Sequence, residues 1–276
     1  MPEPLPLMTR APRDDNFLYG YLYRTLRRHC RPGQRVLDVG CGMGALSIYL
    51  AARGCRVHGV DVRADAVASC RRSAAALGLD DRATFRVMDL NREWPPGRFD
   101  VVVCFEVLEH LEEDAAILAR IRGSLEAGGL LLLSTPSSRA PLHRLRRRFL
   151  GRDPFDERCG HLRRYTVRQL SELLGRAGFR VEGVQRTEGL FRSLLPLTAA
   201  GRFFLRCPRF WLTPLLLAVD QATTLFGEAQ IVVVARAGVP AEERTPAAEG
   251  RVVRALPSAA HPAGCSANRL RRSPRS

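Results

Sequence analysis

Short apolar runs alternate with amphipathic stretches from about Arg35 to Gly183. Runs rich in Val, Leu and Phe at Arg35–Val39, Arg56–Val60, Thr84–Met88, Phe99–Phe105 and Leu130–Ser134 read as buried strands. The intervening stretches Ala45–Arg53, Ala64–Leu77 and Asp114–Glu126 carry helical periodicity. Gly128-Gly129 reads as a turn into the fifth strand. Phe17–His29 predicts an earlier helix with Phe17, Tyr21, Leu22 and Leu26 on one face, stopped by Pro32-Gly33. Thr166–Ala177 predicts a later one, with Thr166 as its N-cap and Gly178 as its stop. Phe179–Arg186 and Gln230–Ala235 complete the strands. Strand and helix in alternation imply an α/β fold: a parallel sheet covered by helices on both faces.

Two stretches depart from that rhythm. Residues 189–228 form an apolar insertion before the last strand, with Leu194, Leu195, Phe203, Phe204, Phe210, Trp211 and Leu215 to Leu217. Pro196, Pro208, Pro214 and Arg202, Arg206, Arg209 interrupt it, so it falls short of the ~20 apolar residues of a spanning helix. It reads as a helical cap, a lid for a greasy substrate or an interfacial segment. Residues 238–276, rich in Ala, Pro, Arg and Ser, have the composition of a disordered tail. The expected organisation is an N-terminal segment and helix over 1–33, one α/β domain over 34–237 and a tail over 238–276.

The candidate chemistry begins at Val36-Leu37-Asp38-Val39-Gly40-Cys41-Gly42-Met43-Gly44. An apolar run, an acid and three alternating glycines describe a strand entering a tight turn that opens a helix. The next strand ends in Asp61, about 20 residues further on, where such pockets place an acid on a ribose. The glycine spacing differs from that of pyrophosphate binders, which suits a ligand without phosphates. From about Arg35 to Gly183 the chain resembles class I S-adenosylmethionine-dependent methyltransferases. That resemblance implies a Rossmann-like sheet of seven strands, one of them antiparallel, and S-adenosylmethionine as methyl donor. It assigns Asp38 to the donor's amino-acid end, Gly40 and Gly42 to close backbone approach, and Asp61 to both ribose hydroxyls. It places Asp89 and Leu90, after the third strand, at the adenine, and Glu106 near the donor.

A second constellation follows the fourth strand: Phe105-Glu106-Val107-Leu108-Glu109-His110-Leu111. On a helix, Glu106, Glu109 and His110 share one face by their i, i+3, i+4 spacing. Carboxylates and an imidazole suit a divalent ion such as Mg²⁺, Mn²⁺, Fe²⁺ or Zn²⁺. The E-x-x-E-H pattern, with His161 ahead of Tyr165-Thr166, is similar to ubiquinone-pathway O-methyltransferases and small-RNA 2′-O-methyltransferases. The likeness implies Glu106, Glu109, His110 and His161 as metal ligands. Without a metal, His110 or His161 is the candidate general base. Ser134-Thr135-Pro136-Ser137-Ser138, after the fifth strand, is a candidate wall of the acceptor site.

Charge narrows the partners. The net charge is +15 and all 43 basic residues are arginine, a bias that partly reflects codon composition. Between Arg139 and Arg168 ten arginines face only Asp153, Asp156 and Glu157. Arg144-Leu145-Arg146-Arg147-Arg148-Phe149-Leu150 mixes charge with apolar side chains, which favours an anionic membrane surface. Nucleic acid is less favoured, because stacking aromatics are few here. The eight cysteines form no C-x-x-C pair, and Met1 to Arg13 has no hydrophobic export core. The expected location is therefore the cytoplasm, with peripheral attachment at the inner face of the membrane. The expected reaction is O-methylation of a small or lipid-linked acceptor. The alternatives are a small-RNA 2′-O-methyltransferase and a non-catalytic donor-binding module.

Overall fold

The computed structural model describes residues 5–12, 19–189, 194 and 213–238, with backbone alone over 213–217. The strands are β1 (Arg35–Val39), β2 (Arg56–Asp61), β3 (Ala83–Val87), β4 (Phe99–Phe105), β5 (Leu125–Pro136), β6 (Phe179–Thr187) and β7 (Gln230–Ala237). They form one sheet in the order β3-β2-β1-β4-β5-β7-β6. The pairs from β3 across to β5 are parallel, and β7 runs antiparallel to both neighbours. This is the seven-stranded, Rossmann-like arrangement expected.

The helices are α1 (Gly20–His29), α2 (Ala45–Ala52), α3 (Ala64–Ala76), α4 (Asp114–Ser124), α5 (Pro141–Leu150), α6 (Pro154–Cys159), α7 (Val167–Arg176) and α8 (Thr213–Thr223). Val101, Val102, Val103 and Cys104 on β4 are all fully buried, because helices cover both faces of a parallel sheet. Fully burying one Val or Leu side chain is worth about 1.5–3 kcal/mol, so the central strands anchor the fold. One core packs Tyr21, Leu26, Ile48 and Val103, and the other packs Leu37, Leu118, Leu131 and Leu170. Thr166 caps α7 through a reciprocal pair with Gln169, and Gly178 (φ +83°) follows its end.

Some expectations need correction. α4 stops at Ser124, and Gly128-Gly129 lies inside β5 rather than before it. Leu125 pairs with Phe99 and Leu130 with Val101, so the intervening residues bulge from the ladder instead of separating two elements. The arginine run lies on α5, a helix that its charge concealed. Phe17, nearly all of the apolar insertion before Thr213, Cys207, Cys265 and residues 239–276 fall outside the described residues. Among the described residues no helix is long and apolar enough to cross a membrane.

β1 and β4 are neighbours, while β2 lies to one side and β5 to the other. Chain connections thus diverge between β1 and β4, which opens a crevice at their carboxyl ends. The glycine turn follows β1 and the Glu106–Leu111 stretch follows β4, so both candidate motifs border it.

Candidate functional site

The glycine turn is held by its own backbone geometry. Gly40, Gly42 and Gly44 all have positive φ (69°, 50° and 78°), which costs a side chain dearly. A Cβ on Gly40 would collide with the Val107 side chain, so the two loops bordering the crevice press on each other. A Cβ on Gly42 would meet nothing within 4 Å, which leaves open space above the turn. The donor fits these residues: an open cradle over Gly42 with a partly exposed carboxylate, Asp61, at its side.

Asp61 Oδ2 accepts the Gly42 N–H at 2.8 Å and Oδ1 accepts the Arg63 N–H at 2.9 Å. Each oxygen retains a second lone pair for a ribose hydroxyl. Asp38 is placed differently from the expectation. It is only 3 % exposed and accepts from Ser47 Oγ of α2 at 2.6 Å, so it braces the turn from beneath. Asp89 folds back on its own turn, accepting from Asn91 N at 3.0 Å and facing Arg92 Nε at 3.3 Å. Leu90 is buried in the core that holds Leu118 and Leu131.

Burial pushes the Asp38 carboxyl from 3.8 up to about 7, with the Ser47 hydrogen bond opposing and the Asp61 charge adding to the rise. Between those values the folded protein keeps a proton that the unfolded chain has released. The group's stabilising contribution is full below about pH 4 and is lost as pH rises through about 7, at ~1.4 kcal/mol per unit. In Asp38→Asn, denaturant unfolding of the ligand-free protein should lose less stability between pH 5 and pH 8 than the wild type does. An equal loss in both would show that another group governs this range.

The second loop does not form the α-helical face that the spacing predicts. Glu106 takes a left-handed backbone (φ +57°), and only Leu108–His110 form a 3₁₀ turn. The positive φ at a non-glycine residue is costly and turns Glu106 away from its two partners. Its carboxylate accepts from Ser134 Oγ at 2.5 Å and from Gln230 Nε2 at 2.7 Å. Glu109, His110 and His161 come together without it, their ligand atoms within 4.8 Å of one another. The metal set implied by the resemblance therefore loses Glu106.

Two contacts assemble the remaining three. Leu162 N donates to the Glu109 carbonyl at 2.9 Å, and His110 Nδ1 lies 3.1 Å from the Gly160 carbonyl. The His110 and His161 rings meet edge to face at 5.0 Å. Glu109 is fully buried, with Oε2 accepting from Thr135 Oγ1 at 3.2 Å and Oε1 without a hydrogen-bond partner. Burial, with the Glu106 charge adding to it, raises the Glu109 pKa. Burial also lowers the His161 pKa, against the opposing pull of Asp156, and so favours the neutral imidazole. One carboxylate oxygen and two imidazole nitrogens, with Glu109 Oε1 left unpartnered, suit a divalent cation.

Ser134, Thr135 and Ser137 are fully buried rather than open to an acceptor. Their hydroxyls serve Glu106, Glu109 and Glu228, the last at 3.0 Å from Ser137 Oγ. Pairing buried carboxylates took these side chains inward. Gln230 and Asp156 hold the site yet escape sequence reasoning, because each acts from a different element with no motif spacing.

Comparison with known proteins agrees with this architecture. The family model Methyltransf_23, described as a methyltransferase domain, matches residues 16–184. Over 105 residues the chain is 41 % identical to the ubiquinone biosynthesis O-methyltransferase of Xanthomonas campestris pv. campestris (strain B100), covering 38 % of this chain and 44 % of that protein. Over 103 residues it is 34 % identical to the Aeromonas salmonicida protein of the same name, covering 37 % and 43 %. The chain thus spans less than half the length of these curated relatives. Among solved structures, the [4+2]-cyclase SpnF superposes with a TM-score of 0.59 at 22 % identity, covering 80 % of both chains. Haemonchus contortus phosphoethanolamine N-methyltransferase 2, solved with S-adenosyl-L-methionine, gives 0.57 at 20 % identity over 80 % of this chain and 53 % of its own. A cyclase beside an N-methyltransferase shows that these likenesses establish the fold alone.

Proposed function

The chain belongs to the methyltransferase domain family, and on that premise we propose that it moves the methyl group of S-adenosylmethionine to an oxygen of a small or lipid-linked acceptor. The observation that carries this reading is the contact of the two loops at the crevice. Val107 presses on Gly40 of the donor turn, and two residues later the same loop delivers Glu109 and His110 to His161. An acceptor hydroxyl beside that trio lies next to the donor.

The sulfonium already activates the methyl, so the protein has two tasks: to align the two atoms and to take a proton. Holding them in attack geometry is the larger of the two. As the acceptor oxygen bonds to the methyl carbon, the carbon–sulfur bond breaks and S-adenosylhomocysteine leaves. When no cation is bound, the hydroxyl proton passes to the imidazole of His161. Glu109, His110 and His161 would hold a divalent cation such as Mg²⁺, which when bound would lower the pKa of the acceptor hydroxyl. The names of the curated relatives favour oxygen as the acceptor atom and a quinone precursor among the candidates, beside polyprenyl-type lipids and lipid-linked glycans.

The acceptor is met at an anionic membrane surface. α5 has no buried residue, and it exposes Leu145, Phe149 and Leu150 beside Arg144, Arg147 and Arg148. Arg146, in the same run, is tied to Asp153 at 3.0 Å and takes no part. Each exposed arginine adds about 1 kcal/mol near anionic lipid. The test uses methyl-deuterated S-adenosylmethionine with lipid extract in anionic vesicles, and in parallel with short RNA. Labelled methyl ether in the lipid fraction, with vesicle binding weakened about 100-fold in the Arg144, Arg147 and Arg148→Gln triple variant, supports the reading. Label only in RNA, or wild-type protein that ignores vesicles at low salt, refutes it.

A further inference from the structure

Behind His161 lies a knot of charge that no motif announces. α5, α6 with its N-cap Asp153, and the residues after α6 bring together His143, Arg146, Asp153, Asp156, His161 and Arg164. Asp156 is its centre. Arg164 donates to both its oxygens, Nε at 2.9 Å to each and Nη2 at 2.6 Å to Oδ1. His161 Nδ1 lies 2.8 Å from Oδ1, and His143 Nδ1 lies 3.2 Å from Oδ2. Asp156 also grips the backbone, its carbonyl accepting the His161 N–H at 2.9 Å.

His143, Asp153 and Asp156 lie close enough to resemble a second cation site. Their acids are already spent: Arg146 holds Asp153 and Arg164 holds Asp156. The Arg164 side chain is only 8 % exposed, so this is a buried, paired network. An ionised carboxylate accepts hydrogen bonds and donates none. The ring nitrogen facing Asp156 must therefore carry the hydrogen, and the lone pair of His161 is left on Nε2. His110 obeys the same rule, because a carbonyl, that of Gly160, faces its Nδ1.

We infer that Asp156 is the positioning residue of the site: by accepting from His161 Nδ1 it fixes the tautomer and the ring, and it presents Nε2 as the electron-pair donor beside Glu109 and His110. The inference rests on the reading above, in which His161 faces the acceptor. In the transfer step Nε2 takes the acceptor proton as oxygen bonds to the methyl carbon. The imidazolium so formed is stabilised by the Asp156 charge, and the proton then leaves to solvent. With a cation bound, the same lone pair is its ligand, and orientation by a second carboxylate is worth about 10–100-fold in activity or affinity.

The test is ¹⁵N NMR of the full, metal-free chain labelled at histidine, with His161 assigned by its absence in His161→Gln. The wild type should show His161 protonated at Nδ1 and bare at Nε2. A wild type protonated at Nε2, or evenly mixed, overturns the inference whatever any variant does. Asp156→Ala should move the tautomer balance and lower kcat about 10–100-fold with donor affinity unchanged. Asp156→Asn, which keeps an accepting oxygen, should recover part of both. Unaltered kcat and tautomer in folded Asp156→Ala also overturn it. Absence of turnover on every acceptor would sink the methyl-transfer reading, while the tautomer would still decide the role of Asp156.

Discussion

Replacing Asp61 with alanine should weaken S-adenosylhomocysteine binding by one to two orders of magnitude. The carboxylate has two duties. It anchors the Gly42 N–H of the donor turn, and it offers free lone pairs to a vicinal diol. Hydrogen bonds to a charged group contribute roughly 1.5–3 kcal/mol, and the variant also leaves the Gly42 amide without its acceptor. Titration calorimetry on folded protein reads the effect. Asp61→Asn should fall between, because an amide oxygen still accepts while its nitrogen does not. Unchanged affinity in a folded alanine variant would remove Asp61 from the site.

Glu109→Gln should lower turnover on the order of 100-fold or more and leave donor affinity near wild type. Glutamine keeps the shape and an oxygen for Thr135, so the buried pocket survives. The lost charge is what a bound cation needs, and a cation that polarises the acceptor oxygen is worth several kcal/mol in the transition state. Chelation of the wild type should lower turnover, and an added divalent cation should restore it. Full turnover in chelator, with elemental analysis showing metal-free protein, would refute the cation and leave His161 as the base.

How far the chain could be read depended on the range of the interaction. β4 was legible because burial on both faces demands a nearly continuous apolar run, here Val101 to Phe105. The glycine turn was legible because positive φ at Gly40, Gly42 and Gly44 restricts which residues fit. Glu106 was misread because periodicity assumes a helix, whereas its left-handed backbone turns it toward Ser134 and Gln230. Gln230 lies 124 positions away, beyond any local pattern. α5 escaped because a helix with no buried residue has no apolar stripe facing a core. Asp156 read as one of three acids, with Asp153 and Glu157, in a basic stretch. Its meaning comes from Arg164 and His161, which fold back on it only after Gly160 turns the chain (φ +74°).

A crystal structure of the protein with S-adenosylhomocysteine tests the central claim most directly. The ligand should lie over Gly42, its ribose hydroxyls on the two Asp61 oxygens and its sulfur facing the Glu109, His110 and His161 trio across a gap that fits an acceptor oxygen and a methyl group. A ligand bound away from the glycine turn, or one seated there with its sulfur turned from that trio, would contradict it.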